Sequence, residues 1–288
     1  MNKYVIMMDV SGDVTQETVD TYDLKFVPMQ YSLGEEMRTS YGREPEEIMK
    51  KFYEGQKNGD LTRTSQITPY MYEEYFSPYL KDGYSVLYLC LSSGLSSTFS
   101  AALLAKESLK EKFPDVDVFP IDSLSATGGM GLLIERALVN RKNGMSIEEN
   151  YEDILNVIPK VRCWFMVQDL QYLKRGGRIS STTAFVGGLL NIKPILRITP
   201  DGKLLNIGKK RGNKATVNAL FEYFKENYNP DLGNTIYICD TLAKDLSEDL
   251  KNKVLEIYPN MIVKQETLCP IIGAHTGPGM LVISHFAK

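Results

Sequence analysis

Histidine is almost missing from this 288-residue sequence: there are two, His275 and His285, alongside a single tryptophan. A metal centre built on imidazole has little to draw on, and neither histidine lies at ligand spacing from a cysteine or carboxylate cluster. Cysteine is also scarce. Cys90, Cys163, Cys239 and Cys269 are too far apart to read as a metal motif, and three of them fall in apolar runs. That is ordinary for free, buried cysteine in a reducing compartment. No Gly-x4-Gly-Lys-Ser/Thr loop occurs, and no Gly-x-Gly-x-x-Gly follows a strand, so the sequence predicts neither a nucleotide nor a metal site of its own. There is no charge excess. The net charge is −3 and the pI about 5.6, which gives no basis for nucleic-acid binding. Nor does any apolar run approach the roughly 18 residues of a membrane span. The apolar run Tyr4–Met8 is too short for a secretory signal. These absences point to a soluble, cytoplasmic protein.

What is present is an ordinary globular composition, 43% apolar and 24% charged, in a chain long enough for one large domain or two of usual size. Short apolar runs alternate with longer amphipathic ones. The strands expected are Tyr4–Asp9, Lys25–Pro28, Ser85–Leu91, Val116–Ile121, Cys163–Gln168, Lys193–Ile198, Leu204–Ile207, Thr235–Cys239, Ile262–Thr267 and Met280–His285. The helices expected are Glu46–Gln56, Pro69–Leu80, Ser97–Lys112, Ala126–Lys142, Ile147–Val157, Lys214–Asn227 and Lys244–Ile257. Strands separated by helices of this length predict an α/β fold with mainly parallel sheets. Pro159 follows a helix at the best boundary, which divides the chain into α/β domains at 1–158 and 159–288. After it, a Gly-Gly loop and a hairpin turning at Pro200-Asp201-Gly202 break the β-α rhythm.

Several predicted strands run into polar, glycine-containing loops, where α/β sheets bind ligands. Asp9-Val10-Ser11-Gly12-Asp13, Thr64-Ser65-Gln66, Ser92–Thr98 and Asp122-Ser123 together offer many hydroxyls and helix N-termini, a combination that suits oxyanions. In Ser92–Thr98, Ser96 or Ser97 is also suited to cap the following helix. A nucleophilic serine is a third reading, with Ser93 or Ser96 paired to His275, but Gly94-Leu95-Ser96-Ser97-Thr98 lacks the second glycine of a nucleophile elbow. The glycines Gly128, Gly129 and Gly131 lie inside a helical pattern and read as close helix packing.

Two basic clusters, Tyr172–Ser180 and Lys209–Lys214, suit phosphate or partner contacts, or simply solvated turns. Ala184–Leu196 is largely apolar around Gly187-Gly188. It reads as core on spacing alone, with the lining of a hydrocarbon tunnel as the alternative. Finally, Ile272-Gly273-Ala274-His275-Thr276-Gly277-Pro278-Gly279 sets a histidine in what reads as a glycine-rich turn before a last strand.

Taken in order, these motifs resemble the DegV family of bacterial fatty-acid-binding proteins. The residues carrying the resemblance are Asp9, Ser11-x-Asp13, Thr64-Ser65-Gln66, Ser92-Ser93-Gly94-Leu95-Ser96-x-Thr98 and Asp122-Ser123, followed by Tyr172–Ile179, Lys193-Pro194-Ile195-Leu196, Arg211 and Gly273-x-His275-x-Gly277-Pro278-Gly279. The resemblance implies one long-chain fatty acid held between two domains. It implies a carboxylate on Thr64, Ser93 and His275, with Ser65, Ser96, Thr276 and Arg211 as further candidates, and a tail running past Phe185, Val186 and Leu189. It also implies a separate ATP-dependent fatty acid kinase that converts the presented acid to an acyl phosphate for phospholipid synthesis. The kinase would supply ATP and magnesium, so the chain itself would be a carrier without cofactor and not a catalyst. Arg175 and Arg178 are then the candidates for docking the kinase, a protonated His275 or an arginine would offset charge during transfer, and transient membrane contact by a monomer fits the role. Val10, Ile67 and Ser97 depart from the family's usual serine, proline and glycine, which bears on chain-length preference. An enzyme acting on a small carboxylated or phosphorylated substrate through a Ser/His pair is the runner-up, and a ligand-sensing module the third reading. A sixteen-carbon tail at ~0.8 kcal/mol per CH2 gives on the order of 10 kcal/mol before binding costs, so the headgroup donors need only offset desolvation and fix orientation.

Overall fold

The computed structural model describes residues 3–179 and 191–288. The N-terminal half opens with β1 (Tyr4–Asp9), α1 (Gln16–Tyr22) and β2 (Lys25–Val27). Next come β3 (Met29–Leu33), β4 (Glu36–Ser40), α2 (Glu46–Lys57) and β5 (Thr62–Thr64). They are followed by α3 (Pro69–Lys81), β6 (Ser85–Cys90), α4 (Thr98–Lys112), β7 (Val118–Asp122), α5 (Thr127–Lys142) and α6 (Ile147–Val157). The C-terminal half carries β8 (Val161–Met166), α7 (Gln171–Arg175), β9 (Ile192–Ile198), β10 (Leu204–Arg211) and α8 (Asn213–Asn227). It ends with β11 (Thr235–Asp240), α9 (Lys244–Ile257), β12 (Ile262–Thr267), α10 (Pro270–Thr276) and β13 (Leu281–Phe286).

The α/β reading stands. The first sheet, ordered β2-β1-β6-β7, is parallel throughout, and its central strand Ser85–Cys90 is buried at every position. A near-continuous apolar run is what a strand covered on both faces requires. The expectation of mainly parallel sheets needs correction in the second sheet, ordered β10-β9-β8-β13-β11-β12, where only β11 and β12 pair in parallel. The physical reason lies in the connections. β9 and β10 form a hairpin, and β13 starts from the short α10 at the carboxyl end of β12, so it runs back antiparallel to both β11 and β8. A third, antiparallel sheet, β4-β3-β5, was not expected from the sequence.

α5 packs between the halves. A Cβ on Gly128 would lie 2.3 Å from Cβ of Tyr237 in β11, and one on Gly131 would lie 2.4 Å from the Asp13 carbonyl oxygen. The glycines therefore serve the close packing their helical spacing suggests. Further along α5, Glu135 accepts hydrogen bonds from Thr18 (2.8 Å), from the Tyr237 hydroxyl and from Lys264. One apolar core joins Ile6, Met8 and Leu87 of the first half to Phe165, Cys239 and Val282 of the second. Thr68 caps α3 ahead of Pro69, and Ser146 with Glu149 forms a capping box on α6. Among the described residues no helix is long and apolar enough to cross a membrane.

Candidate functional site

A cavity of about 430 Å3 lies where the two halves meet, within the usual size range of a small-molecule site. Residues from both sides of position 158 line it. Leu91, Phe165, Leu173, Ile198, Leu204 and Val282 supply apolar wall, while Thr64, Ser93, Arg178 and His275 supply polar groups.

His275 sits on α10, which corrects the expectation of a glycine-rich turn. Pro270 suits the first helical turn, and Gly277, at φ 72°, ends the helix in a conformation that favours glycine. α2 holds α10 in place. Tyr53 donates its hydroxyl to the Leu268 carbonyl (2.6 Å), and Gln56 donates to the Gly273 carbonyl (3.0 Å). Gln56 is a functional support that the sequence reading missed. Its signal was available, because it continues the buried stripe Met49, Phe52, Tyr53, Gln56 at helical spacing, a polar residue where an apolar one belongs.

Thr64 closes β5 rather than lying in a loop, and its Oγ1 is 2.8 Å from Nε2 of His275. Nδ1 of His275 is buried without a hydrogen-bond partner and packs against Gly176, where a Cβ would come within 2.2 Å of it. Burial first, then the Arg178 guanidinium, lowers the imidazole's pKa to about 4. His275 is therefore neutral at pH 7, and among the described residues lining this cavity the cation is Arg178. His285 is likewise pushed down to about 4, mainly by burial, and its Nε2 accepts from the Trp164 indole at 3.1 Å. Ring-proton NMR of the ligand-free protein is expected to show both imidazoles unchanged from alkaline pH down to about pH 5.5 and titrating near pH 4. A midpoint near 6.5 for His275 would overturn its assignment as a neutral group.

The other predicted residues divide. Ser93 and Ser65 are exposed and line the cavity. The Ser93 amide donates to Asp122 (3.0 Å), which also accepts from Leu124 and so fixes the loop. Ser96 lines the cavity too, and accepts from the Thr98 amide at 3.3 Å; Ser97 makes no capping bond. Thr276 reaches the cavity while donating to Ile272 within its own helix. Arg211, at the exposed end of β10, is not among the residues lining the cavity. The two arginines grouped for docking separate. Arg175 is exposed with its guanidinium 4.7 Å from the Tyr172 ring centroid, whereas Arg178 turns inward, lines the cavity and donates to the carbonyls of Leu95 (3.1 Å) and Gly176. Phe185, Val186 and Leu189 lie outside the described residues.

Among the described residues no serine hydroxyl hydrogen-bonds His275, and no carboxylate orients its Nδ1. A serine nucleophile would need both contacts. The arrangement suits binding instead, with hydroxyls, a neutral imidazole and the Arg178 guanidinium on the same lining as apolar wall.

The sequence pattern of the DegV family, described as "uncharacterised protein, DegV family", matches residues 3–288. The chain belongs to the DegV family. Among DegV relatives, it is 36% identical over 286 residues to a DegV domain-containing protein of Clostridium perfringens, covering 98% of this chain and 97% of that one. A solved Thermotoga maritima protein described as having a fatty acid binding function shares 27% identity and superposes with a TM-score of 0.82, each chain fully covered. The Streptococcus pneumoniae fatty acid kinase (Fak) B3 protein, loaded with linoleic acid, shares 22% identity and the same fold at a TM-score of 0.87, covering 99% of this chain and 100% of that one.

Proposed function

We propose that this DegV protein binds one long-chain fatty acid and presents it to a separate ATP-dependent kinase for acyl-phosphate formation feeding phospholipid synthesis. The observation that carries this reading is a single cavity joining apolar wall to the Thr64–His275 pair, with Ser93 on the same lining. In the bound state the Thr64 hydroxyl donates to the carboxylate, His275 Nε2–H donates to Thr64, and Ser93 offers a second hydroxyl. Hydrogen bonds to a charged acceptor contribute about 1.5–3 kcal/mol each, enough to orient a headgroup whose affinity comes from its tail. The fatty acid binding function described for the Thermotoga protein and the linoleic acid loaded in the Streptococcus one support the ligand class, and the kinase name of the second supports the partner.

Mass spectrometry of organic extracts from the purified protein tests the ligand, followed by titration of the delipidated protein with long-chain acids. We expect one acid per chain. A protein that is empty and takes up no fatty acid would sink the reading. For the partner, Arg175 lies on the surface outside the cavity lining. Arg175→Ala is expected to leave fatty-acid affinity within about twofold and to lower kinase-dependent acyl-phosphate formation by roughly tenfold. Normal phosphorylation of the variant would remove Arg175 from the docking surface.

A further inference from the structure

A second cavity, of about 330 Å3, opens beyond the carboxyl ends of β1, β11 and β12. This is the edge of an α/β sheet at which ligands ordinarily bind. It is separate from the fatty-acid cavity. Cys269, just before α10, lines the second cavity, whereas Ile271 and Ile272 line the first.

Its chemistry is the opposite of the first. Six carboxylates line it against three cationic side chains. Three of those carboxylates are deep. Asp13 is 6% exposed, Asp240 is 7% exposed, and the Glu266 side chain is 10% exposed. Glu266 is neutralised by an ion pair with Arg43 at 2.5 Å. Asp13 and Asp240 have no ion pair among the described residues. Each holds one backbone amide: Asp13 Oδ1 accepts from Cys269 (3.1 Å), and Asp240 Oδ1 from Ala243 (2.7 Å). Asp13 Oδ2 is buried with no partner at all. A buried carboxylate oxygen without a donor is costly, and native structures rarely leave one so. Burial raises the pKa of both groups, so each favours its protonated form while the cavity is empty, and a cation placed beside them would oppose that shift.

A metal ion would need a compact set of ligands. Among the described residues no group of three or more histidine, cysteine or acidic side chains is arranged to hold one. An organic cation makes a weaker geometric demand: a few N–H donors reaching two carboxylates across a cavity large enough for several heavy atoms. We propose that this cavity is a binding site for a compact organic ammonium, with Asp13 and Asp240 as its carboxylate partners. A short run of chain links the two cavities without joining them. The oxygen of Asp13 that accepts from Cys269 anchors the residue leading into α10, the helix that carries His275.

Isothermal titration of the full, delipidated chain with putrescine near neutral pH tests this. Saturable binding at one site is expected in the wild type. Asp13→Asn and Asp240→Asn should each weaken it by at least about tenfold, about 1.4 kcal/mol, while retaining the wild-type circular dichroism spectrum. Two independent variants keep the test decisive if one fails to fold. Thr64→Val, which alters only the fatty-acid cavity, should leave putrescine affinity unchanged. The proposal is overturned by the absence of saturable binding up to about 20 mM putrescine. It is equally overturned by binding that survives both asparagine variants, or by magnesium chloride binding that these variants abolish where putrescine does not bind.

Discussion

Gly273→Ala is expected to lower the thermal midpoint of the protein by roughly 6–12 °C, the equivalent of about 3 kcal/mol of overpacking. A Cβ at position 273 would stand 2.2 Å from the Tyr53 hydroxyl oxygen and 2.6 Å from its nearest ring carbon. The ring cannot step aside easily. Tyr53 is fully buried, packs edge-to-face on Phe52, and is tied through its hydroxyl to the Leu268 carbonyl. The other escape is for α10 to move, which breaks the bond from Gln56 to the Gly273 carbonyl and carries His275 away from Thr64. The variant should therefore lose fatty-acid affinity as well as stability, although it touches no ligand. Tyr53→Phe added to Gly273→Ala removes the closest atom and should restore part of the lost midpoint. Thermal denaturation of the full chain checks both, and an unchanged midpoint would show that α2 does not clamp α10.

That clamp also explains what the sequence hid. β1, α6, α9 and β12 are legible to the residue because each is a run of one period bounded by turn or capping signals. α10 is not, because three of the eight residues Ile272–Gly279 are glycine, a composition that argues for a turn. The helix is held from α2, where Gln56 donates to the Gly273 carbonyl and Tyr53 to the Leu268 carbonyl just ahead of it, and its glycine admits Tyr53 at close range, so tertiary packing overrides propensity. The sheet β4-β3-β5 was missed for a related reason. Its strands are three to five residues long and carry Gln30, Arg38 and Thr39, so neither length nor alternation marks them. Strand direction in the second sheet is invisible to helix–strand alternation, which reports that a connection exists and not where the next strand inserts. In the site, the hydroxyls and the imidazole were legible as residue types in ordered motifs. The inward turn of Arg178 was not, because Arg175 and Arg178 flank the same Gly-Gly turn and only the Leu95 carbonyl, brought there by the fold, decides which one enters the cavity.

Thr64→Val is expected to weaken binding of a long-chain fatty acid by roughly 10–100-fold, while Thr64→Ser stays within a few-fold of the wild type. Valine keeps the volume of threonine, so the apolar wall is unchanged and the loss reports on the hydroxyl alone. Two costs combine. The carboxylate loses a donor, and His275, whose Nδ1 has no partner among the described residues, loses the one bond that Nε2 makes among them. In the ligand-free cavity burial keeps the imidazole neutral near pH 7, so His275 meets the ligand as a hydrogen-bonding group and not as a cation. Because the hydroxyl acts through the imidazole and the imidazole through the hydroxyl, their contributions should not add. Thr64→Val combined with His275→Ala is expected to cost little more than the worse single variant, the sign of one hydrogen-bonded unit. A fatty alcohol of equal chain length separates headgroup from tail, since its affinity should barely respond to Thr64→Val. If the acid's affinity survives the substitution instead, the carboxylate is held elsewhere on the lining, with Arg178 as the remaining charged donor, and the headgroup end of the cavity must be reassigned to it.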